Sequence, residues 1–297
     1  MLAYLVVGEI HGRWKKRWCL ASDMKRVLAI AGSDSGGGAG IQADIRTISS
    51  LGAHALTAVT ALTAQNSRNV AAIQKVPARF VSRQIETILV DTYPDAVKIG
   101  MLYTASCVRE VARILRKHPL PRTVLDPVLK ASTGRALLEP EALAPLQRLL
   151  LPRVLVVTPN LGEASVLSGR RVGTVREMQE AARVIHDMGP HVVVTGGHLR
   201  GACVDVLYDG KQMHRFEGGR IATRHTHGGG CVFSTALAVF LASGDDLGTA
   251  VEHAHGFARN AIRGGYAIGK GAGAVCPGGA SQDPGGKLLR RLRRRTP

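Results

Sequence analysis

The chain has 297 residues, of which 45% are hydrophobic and only 4% aromatic, and its formal net charge is +17 at pH 7. A chain of this length and composition buries a substantial core, which favours a sheet packed between helices over a β-sandwich or a disulfide-stapled scaffold. We therefore predict the α/β class, with one large domain in preference to two smaller ones.

Basic residues crowd both ends of the chain. The clusters are Arg13, Lys15, Lys16 and Arg17 near the start, and Lys287, Arg290, Arg291, Arg293, Arg294 and Arg295 near the end. Such clusters bind nucleic acids by releasing counterions, but both lie outside the part of the chain with regular hydrophobic periodicity. Because like charges repel each other and bury no core, we interpret the clusters as solvated ends and expect no nucleic-acid partner.

The cysteines and the apolar runs argue against three further classes. The cysteines are Cys19, Cys107, Cys203, Cys231 and Cys276. An odd, scattered set without C-x-x-C spacing indicates neither a disulfide framework nor a zinc ribbon, and predicts a reducing cytoplasm. No apolar run reaches the roughly 18 residues that a membrane-spanning helix needs, so we expect no membrane segment.

Regular patterning begins at Met24, which resembles a natural start. We expect residues 1–23 to be a non-native or disordered extension, residues 24–276 to form the domain and residues 277–297 to form a disordered basic tail.

The first predicted strand, 27–31, leads through a glycine-rich loop into a helix over 41–51. Further strands are predicted at 56–62, 96–99, 123–125, 154–157 and 192–194. Further helices are predicted at 80–90, 107–115 and 175–188, after Cys231, and at 247–262. The alternation predicts a mainly parallel sheet with helices on both faces, and the runs 203–208 and 212–216 predict a small β-hairpin.

The first glycine loop, 32–40, fits none of three familiar motifs. Ile41 stands where a dinucleotide-binding fingerprint needs its third glycine, and Asp34 stands where a nucleophile elbow needs serine. The chain also has no Walker lysine motif, so the phosphates of a nucleotide have to be held elsewhere. A simple tight turn remains the alternative for this loop.

The second glycine cluster precedes an apolar helical stretch and ends in Cys231. Unpaired amides and the positive end of the helix dipole make such a helix start an anion site, and the same field is expected to lower the pKa of the Cys231 thiol. Two alternatives remain open on this spacing. Cys231 is a small buried residue in one, and His225, His227 and Cys231 bind a metal in the other.

The segment Ala31-Gly-Ser-Asp-Ser-Gly-Gly-Gly-Ala-Gly-Ile-Gln-Ala-Asp44 resembles the opening signature of the hydroxymethylpyrimidine and phosphomethylpyrimidine kinases of thiamine biosynthesis, in the ribokinase-like superfamily. Six further segments match landmarks of that family in order: Thr63-Ala-Gln-Asn66, Lys98-Ile-Gly-Met101, Leu125-Asp-Pro-Val128, Thr158-Pro-Asn-Leu-Gly-Glu163, Gly196-Gly-His198 and Thr226-His-Gly-Gly-Gly-Cys231. The resemblance covers nearly the whole periodic region, from about residue 27 to residue 273.

The resemblance implies a ribokinase-like fold whose substrate lies at the carboxyl ends of the strands. It assigns Gln42 to the edge of a pyrimidine, with Asp34 and Met101 lining the same pocket. Without the resemblance, Gln42 is equally well explained as a solvated amide in the first turn of its helix.

The resemblance also implies ATP and Mg²⁺. Asn160 and Glu163 match the N-x-x-E element that organises the metal around the triphosphate, and Asp126 is a second metal carboxylate. Further nucleotide contacts fall on Thr195, Gly197 and Thr226. On the residues alone, Glu163 is also explained as a helix-start carboxylate and Asp126 as part of a turn.

For the chemistry, the resemblance assigns the hydroxymethyl proton to Cys231 and the transition-state charge to the amides of Gly228, Gly229 and Gly230. The implied reaction is ATP-dependent phosphorylation of 4-amino-5-hydroxymethyl-2-methylpyrimidine and of its monophosphate, by a homodimer in the cytoplasm. The alternatives are a pyridoxal kinase of the same superfamily and a non-catalytic relative.

Two positions depart from the family pattern. Thr195 stands where the family has lysine, and Gly229 where it has threonine. The missing cation weakens the expectation of tight nucleotide binding unless another base, such as Lys130, replaces it.

Overall fold

The computed structural model of the protein describes residues 5–10, 13–18, 24–199 and 201–278. The strands are Leu5–Ile10 (β1), Arg13–Trp18 (β2), Arg26–Asp34 (β3), His54–Gln65 (β4), Val70–Lys75 (β5), Ala96–Ile99 (β6), Thr123–Leu125 (β7), Val156–Val157 (β8), His191–Val194 (β9), Cys203–Tyr208 (β10) and Met213–Gly218 (β11). The helices are Gly40–Ser50 (α1), Ala78–Asp91 (α2), Ala105–Lys117 (α3), Pro140–Pro145 (α4), Leu161–Ser168 (α5), Val175–His186 (α6), Gly229–Ala242 (α7) and Leu247–Arg263 (α8). A π-helical turn, Leu146–Leu150, and a 3₁₀ turn, Leu151–Arg153, follow α4.

A nine-stranded sheet has the order β11-β10-β9-β8-β7-β6-β3-β4-β5. The strands from β9 to β4 run parallel, whereas β5 lies antiparallel to β4 and β10 lies antiparallel to β9 and β11. The predictions of an α/β fold, a mainly parallel sheet and a hairpin over 203–216 are therefore confirmed.

Helices cover both faces of this sheet, as the central strand β3 shows. Val27, Ala29 and Ala31 pack into the core cluster that contains α1, α7 and α8, whereas Leu28 and Ile30 pack into the cluster that contains α2 to α6. Successive side chains of a strand point to opposite faces, so a strand buried on both sides is apolar throughout. This explains the uninterrupted apolar run from which the strand was predicted.

The sheet order changes direction beside β3. The chain leaves β3 for its neighbour β4, and later returns to pair β6 on the other side of β3. Ligands of open α/β sheets bind in the crevice beyond the carboxyl ends of the strands at such a switch point. The first glycine loop follows β3 directly, and Met101 follows β6.

The predictions about the two ends of the chain are covered only in part by the described residues. Strands β1 and β2 pair with each other in an antiparallel hairpin apart from the large sheet. The expected boundaries of the extension and of the domain stay predictions, and the predicted basic tail lies outside the described residues from residue 279 onward. Among the described helices, none is long and apolar enough to cross a membrane.

Candidate active site

The two glycine loops of the sequence touch each other in the structure. Gly228 has a φ of +90°, and a Cβ atom there would lie 2.0 Å from the carbonyl oxygen of Gly38. A Cβ atom on Gly38 would in turn lie 2.2 Å from the imidazole of His227. Only glycine satisfies both the left-handed backbone and this close approach. The structure therefore brings the loop after β3 and the loop before α7 together, although nearly 190 residues separate them.

Asp34 ties these loops to each other. One carboxylate oxygen accepts from the amide of Gly36 at 2.8 Å, and the other from the amides of Gly38 at 3.1 Å and Ala39 at 2.9 Å. The imidazole Nε2 of His227 lies 3.0 Å from that second oxygen. Burial alone would raise the pKa of Asp34, but the hydrogen bonds from His227 and from the loop amides hold it below its usual value. Both oxygens already have partners, so the contact of Asp34 with a pyrimidine stays a prediction.

Gln42 lies in the first turn of α1, as predicted, but its amide is fixed. The side-chain oxygen accepts from the amide of Asp34 at 2.9 Å, and the side-chain nitrogen donates to the hydroxyl of Ser33 at 2.8 Å. The alternative of a freely solvated amide is therefore wrong for the protein without ligand.

Met101 belongs to a small apolar cluster at the same end of the sheet. It is buried with Ala61 and Leu137, and its carbonyl oxygen accepts from the hydroxyl of Thr60 at 2.5 Å. A Cβ atom on Gly32 would lie 2.8 Å from the Met101 sulfur, so the thioether packs directly on the first glycine loop. Gln42 and Met101 thus both contact the backbone of this strand and loop.

Asp126 and Glu163 form a buried pair of carboxylates beyond β7 and β8. Glu163 accepts from the amide of Asn160 at 2.9 Å while the Asn160 side chain accepts from the amide of Glu163 at 3.0 Å, which is a capping box for α5. Asp126 accepts from the hydroxyl of Ser234 at 3.1 Å. Burial and the charge of Asp126 raise the pKa of Glu163 to about 8. Two carboxylates that raise each other's affinity for a positive charge suit a divalent cation.

Cys231 lies in the first turn of α7, and the prediction about its thiol was wrong. Burial raises the pKa of the thiol to about 12, against the opposing charge of Lys98, while the carboxylates of Asp126 and Asp44 raise it further. The positive end of the helix and the charge of Lys98 lower the pKa of the thiol. This decrease is smaller than the increase that burial and the two neighbouring carboxylates cause. The thiol is therefore protonated at neutral pH in the protein without ligand.

A buried ion pair lies beneath the site and was not predicted. Lys98 and Asp44 have no exposed side-chain surface, and Lys98 Nζ lies 2.8 and 3.1 Å from the two oxygens of Asp44. Thr235 donates to the same carboxylate at 2.7 Å. Burial would lower the pKa of Lys98, but the charges of Asp44 and Asp126, together with the hydrogen bond to Asp44, raise it above its usual value. Through Thr235 the pair connects β6, which Met101 follows, with α1 and α7, the helices that carry Gln42 and Cys231.

The predicted nucleotide residues fall into two places. Thr195, at the end of β9, forms a parallel bridge with Asn160, and its amide donates to the carbonyl oxygen of Pro159 at 2.9 Å. Gly197 is exposed two residues further on. Thr226 is exposed beside the second glycine loop, where its carbonyl oxygen accepts from the amide of Gly229 at 3.1 Å.

The alternative of a metal site at His225, His227 and Cys231 has no support in the described part of the chain. No group of three or more potential metal ligands of the histidine, cysteine and carboxylate kinds is found there. His227 instead contacts Asp34, and its Nε2 lies 3.3 Å from the side-chain nitrogen of Gln65. Sequence reasoning missed Gln65 as a site residue, although it lies within a family landmark.

Comparison with known proteins decides the family. The family model described as phosphomethylpyrimidine kinase matches residues 34–276, which run from the first glycine loop to the segment after α8. The chain belongs to this family. The resemblance drawn from the ordered motifs is therefore confirmed.

Individual relatives agree with the family model. The hydroxymethylpyrimidine/phosphomethylpyrimidine kinase of Rhizobium meliloti is 46% identical over 84% of this chain and 95% of the relative. The thiamine biosynthesis bifunctional protein ThiED of Geobacter sulfurreducens is 43% identical over 84% of this chain, which spans 51% of that longer protein. The crystal structure of an ADP complex of Bacillus subtilis pyridoxal kinase matches with a TM-score of 0.80 at 37% identity, over 86% of this chain and 98% of the other.

Proposed function

We propose that the protein transfers the terminal phosphoryl group of ATP to the hydroxymethyl group of 4-amino-5-hydroxymethyl-2-methylpyrimidine, and then phosphorylates the monophosphate to the diphosphate. The observation that carries this proposal is the contact between the two glycine loops. It supports the proposal because the loop before α7, whose helix start suits a phosphate, touches the first glycine loop, with which Gln42 and Met101 are in contact. The curated relatives named as kinases of this pyrimidine support the choice of substrate.

Gln42 and Met101 suit a flat heterocycle with polar edges. The Met101 cluster offers an apolar contact to the ring, and the side-chain amide of Gln42 has one donor and one acceptor end for the ring nitrogen and the exocyclic amine. Both ends are bound to Ser33 and Asp34 without ligand, so the pyrimidine replaces at least one of these bonds. The hydroxymethyl group then points toward α7 and Cys231.

The start of α7 supplies the phosphate site. No side chain caps this helix, and the amide of Gly229 donates to the carbonyl oxygen of Thr226, so the amides of Gly230 and Cys231 remain available to an anion. Phosphoryl transfer needs mainly positioning and stabilisation of charge, and the glycines allow close approach of the backbone. We assign the hydroxymethyl proton to Cys231, and this base contributes less than the positioning.

Asp126 and Glu163 are the residues that would hold Mg²⁺. Their fit rests on the chemistry of the pair, since both are buried, and burial and the charge of Asp126 raise the pKa of Glu163 to about 8. When bound, the ion neutralises charge on the phosphates of the nucleotide. The charge of Asp126 is also one cause of the high pKa of Cys231, so a cation held by Asp126 would lower the pKa of this thiol.

Glu163→Gln is expected to raise the Mg²⁺ concentration needed for half-maximal activity by at least about tenfold, equivalent to about 1.4 kcal/mol. The glutamine keeps the acceptor for the amide of Asn160, so α5 stays capped, but it loses the charge. Titration of activity against Mg²⁺ checks this. The matched control is Glu177→Gln, in the exposed capping box that Thr174 and Glu177 form on α6. An equal shift in both variants would contradict the metal role of Glu163.

A pyridoxal kinase is the second candidate, because the Bacillus subtilis structure that resembles this chain belongs to an enzyme of that name. Pyridoxal also presents a hydroxymethyl group on a six-membered nitrogen heterocycle, and only groups that read the exocyclic amine separate the two. The value of kcat/KM, measured from the release of ADP with the pyrimidine and with pyridoxal, decides between them. A higher value for pyridoxal would overturn the proposed substrate, and no reaction with either would support a non-catalytic relative.

We also propose that the enzyme is a homodimer and works in the cytoplasm. Cys107, Cys203 and Cys231 form no disulfide with one another, which suits a reducing compartment. The dimer rests on the family resemblance. Light scattering after size-exclusion chromatography tests it, and a mass of one chain would contradict it.

A further inference from the structure

A buried aspartate lies behind the turn that carries Thr195 and Gly197. Asp205, on β10, is only 6% exposed, and one of its oxygens accepts from the amide of Gly196 at 2.8 Å. The other oxygen lies 2.7 Å from Nδ1 of His255, which is on α8 and nearly buried. The turn is therefore bonded to the hairpin strand β10, and through it to a helix on one face of the sheet.

Two further contacts hold the turn in place. A Cβ atom on Gly196 would lie 2.0 Å from the carbonyl oxygen of Val204, so the backbone of the turn lies directly against β10. The amide of Thr195 donates to Pro159, next to the Asn160 and Glu163 capping box. Asp205 thus sets the position of the turn relative to the buried carboxylate pair.

His255 has one hydrogen bond at this site, and it goes to Asp205. Its other ring nitrogen, Nε2, is buried and has no hydrogen-bond partner among the residues that the structure describes. Leaving a buried polar atom unpaired costs free energy, so packing alone does not explain an imidazole at this position. The bond from Nδ1 to the carboxylate accounts for the presence of a histidine here.

We propose that Asp205 and His255 are positioning residues for the nucleotide. Asp205 fixes the amide of Gly196, and His255 fixes the carboxylate, so that the turn of Thr195 and Gly197 keeps its position for contact with the phosphates of a nucleotide, whose metal Asp126 and Glu163 would hold. The inference rests on the proposed function, and it adds two residues that touch neither the nucleotide nor the pyrimidine.

The test compares nucleotide and pyrimidine affinity in matched variants. Asp205→Ala is expected to weaken ATP binding about tenfold, while the KM for the pyrimidine changes less than about twofold, since one buried hydrogen-bond partner is lost. Asp205→Asn restores most of the affinity, because its amide oxygen accepts from Gly196 and its amide nitrogen donates to the imidazole. His255→Leu weakens ATP binding about threefold and His255→Asn restores it, because asparagine again donates to Asp205.

Asp246→Ala is the control. It removes the cap that Asp246 provides to the amide of Thr249 at the start of α8, and so loosens the helix of His255 without touching the turn. Nucleotide affinity is measured by calorimetry with ATP and Mg²⁺ in the absence of an acceptor, which makes it independent of the pyrimidine assignment.

Three outcomes would overturn the inference. They are unchanged ATP affinity in Asp205→Ala and His255→Leu, an equal loss of ATP and pyrimidine affinity, and an equal loss of ATP affinity in Asp246→Ala. If Asp205→Ala does not fold, His255→Leu carries the test, because it leaves the bond to Gly196 in place. Wild-type protein that binds no ATP would overturn the proposed function together with this inference, whereas normal wild-type binding confines a failure to the inference.

Discussion

Cys231→Ala is expected to lower turnover about a hundredfold, the lower end of what a positioned general base contributes. Burial and two carboxylates raise the pKa of this thiol to about 12 without ligand, so the proposed role as a base requires bound ligands to change its surroundings. The dissociation constant of the pyrimidine is expected to change little, because the contacts that we propose for the ring are those of Gln42 and Met101. Turnover and pyrimidine binding measured on the same preparation check both parts.

Cys107→Ala provides a matched control for this variant. Cys107 is also the third residue of its helix, α3, and burial raises the pKa of its thiol to about 12 as well, but it lies in the core on the other face of the sheet. Its removal is expected to lower stability and leave turnover unchanged. Unchanged turnover in Cys231→Ala, or an equal loss in both variants, would refute the assignment of the base.

Lys98→Met is expected to lower the free energy of unfolding by about 3–5 kcal/mol, since it leaves the carboxylate of Asp44 charged and buried without its partner. The pair has no exposed side-chain surface, so water cannot replace the lost ammonium group. Denaturant unfolding monitored by circular dichroism measures the change. The double variant Lys98→Met with Asp44→Asn is expected to recover most of the loss, because the asparagine oxygen still accepts from Thr235.

Lys75→Met serves as the surface control. Lys75 lies 2.6 Å from Glu139, but its side chain is 56% exposed, so the loss is expected to stay below about 1 kcal/mol. A loss of similar size for Lys98→Met would show that the buried pair contributes little to stability. Lower turnover in a double variant of normal stability would mean that the pair also fixes the spacing of α1, β6 and α7.

Hydrophobic patterning predicted most of the fold because the central strands are buried on both faces. The apolar runs at 96–99 and 123–125 coincide with β6 and β7. Strand β5 was missed, because Val70–Lys75 is a short edge strand whose side chains are mostly exposed and alternate poorly. Helix α5 was also missed, since its eight residues mix apolar and polar side chains without helical periodicity. Its capping box, Asn160 and Glu163, was present in the sequence as a start signal.

The motifs supplied candidate site residues, but not the electrostatics around them. Asp34, Gln42, Asp126, Glu163 and Cys231 stay predictions as site residues, and the motifs carried no information about which side chains from distant elements meet them. The pKa of Cys231 depends on burial and on carboxylates from α1 and the end of β7, so a rule based on its own helix gave the wrong direction. Likewise, the partner of Lys98 is 54 residues away on α1, where no local pattern marks it.

Mass spectrometry of the products tests the central claim most directly. Purified protein is incubated with ATP and Mg²⁺ and, in separate reactions, with hydroxymethylpyrimidine, its monophosphate and pyridoxal. The proposed function predicts the pyrimidine monophosphate in the first reaction and the diphosphate in the second, despite Thr195 and Gly229 at positions where the family has lysine and threonine. Phosphorylation of pyridoxal alone, or of none of the three, would contradict it.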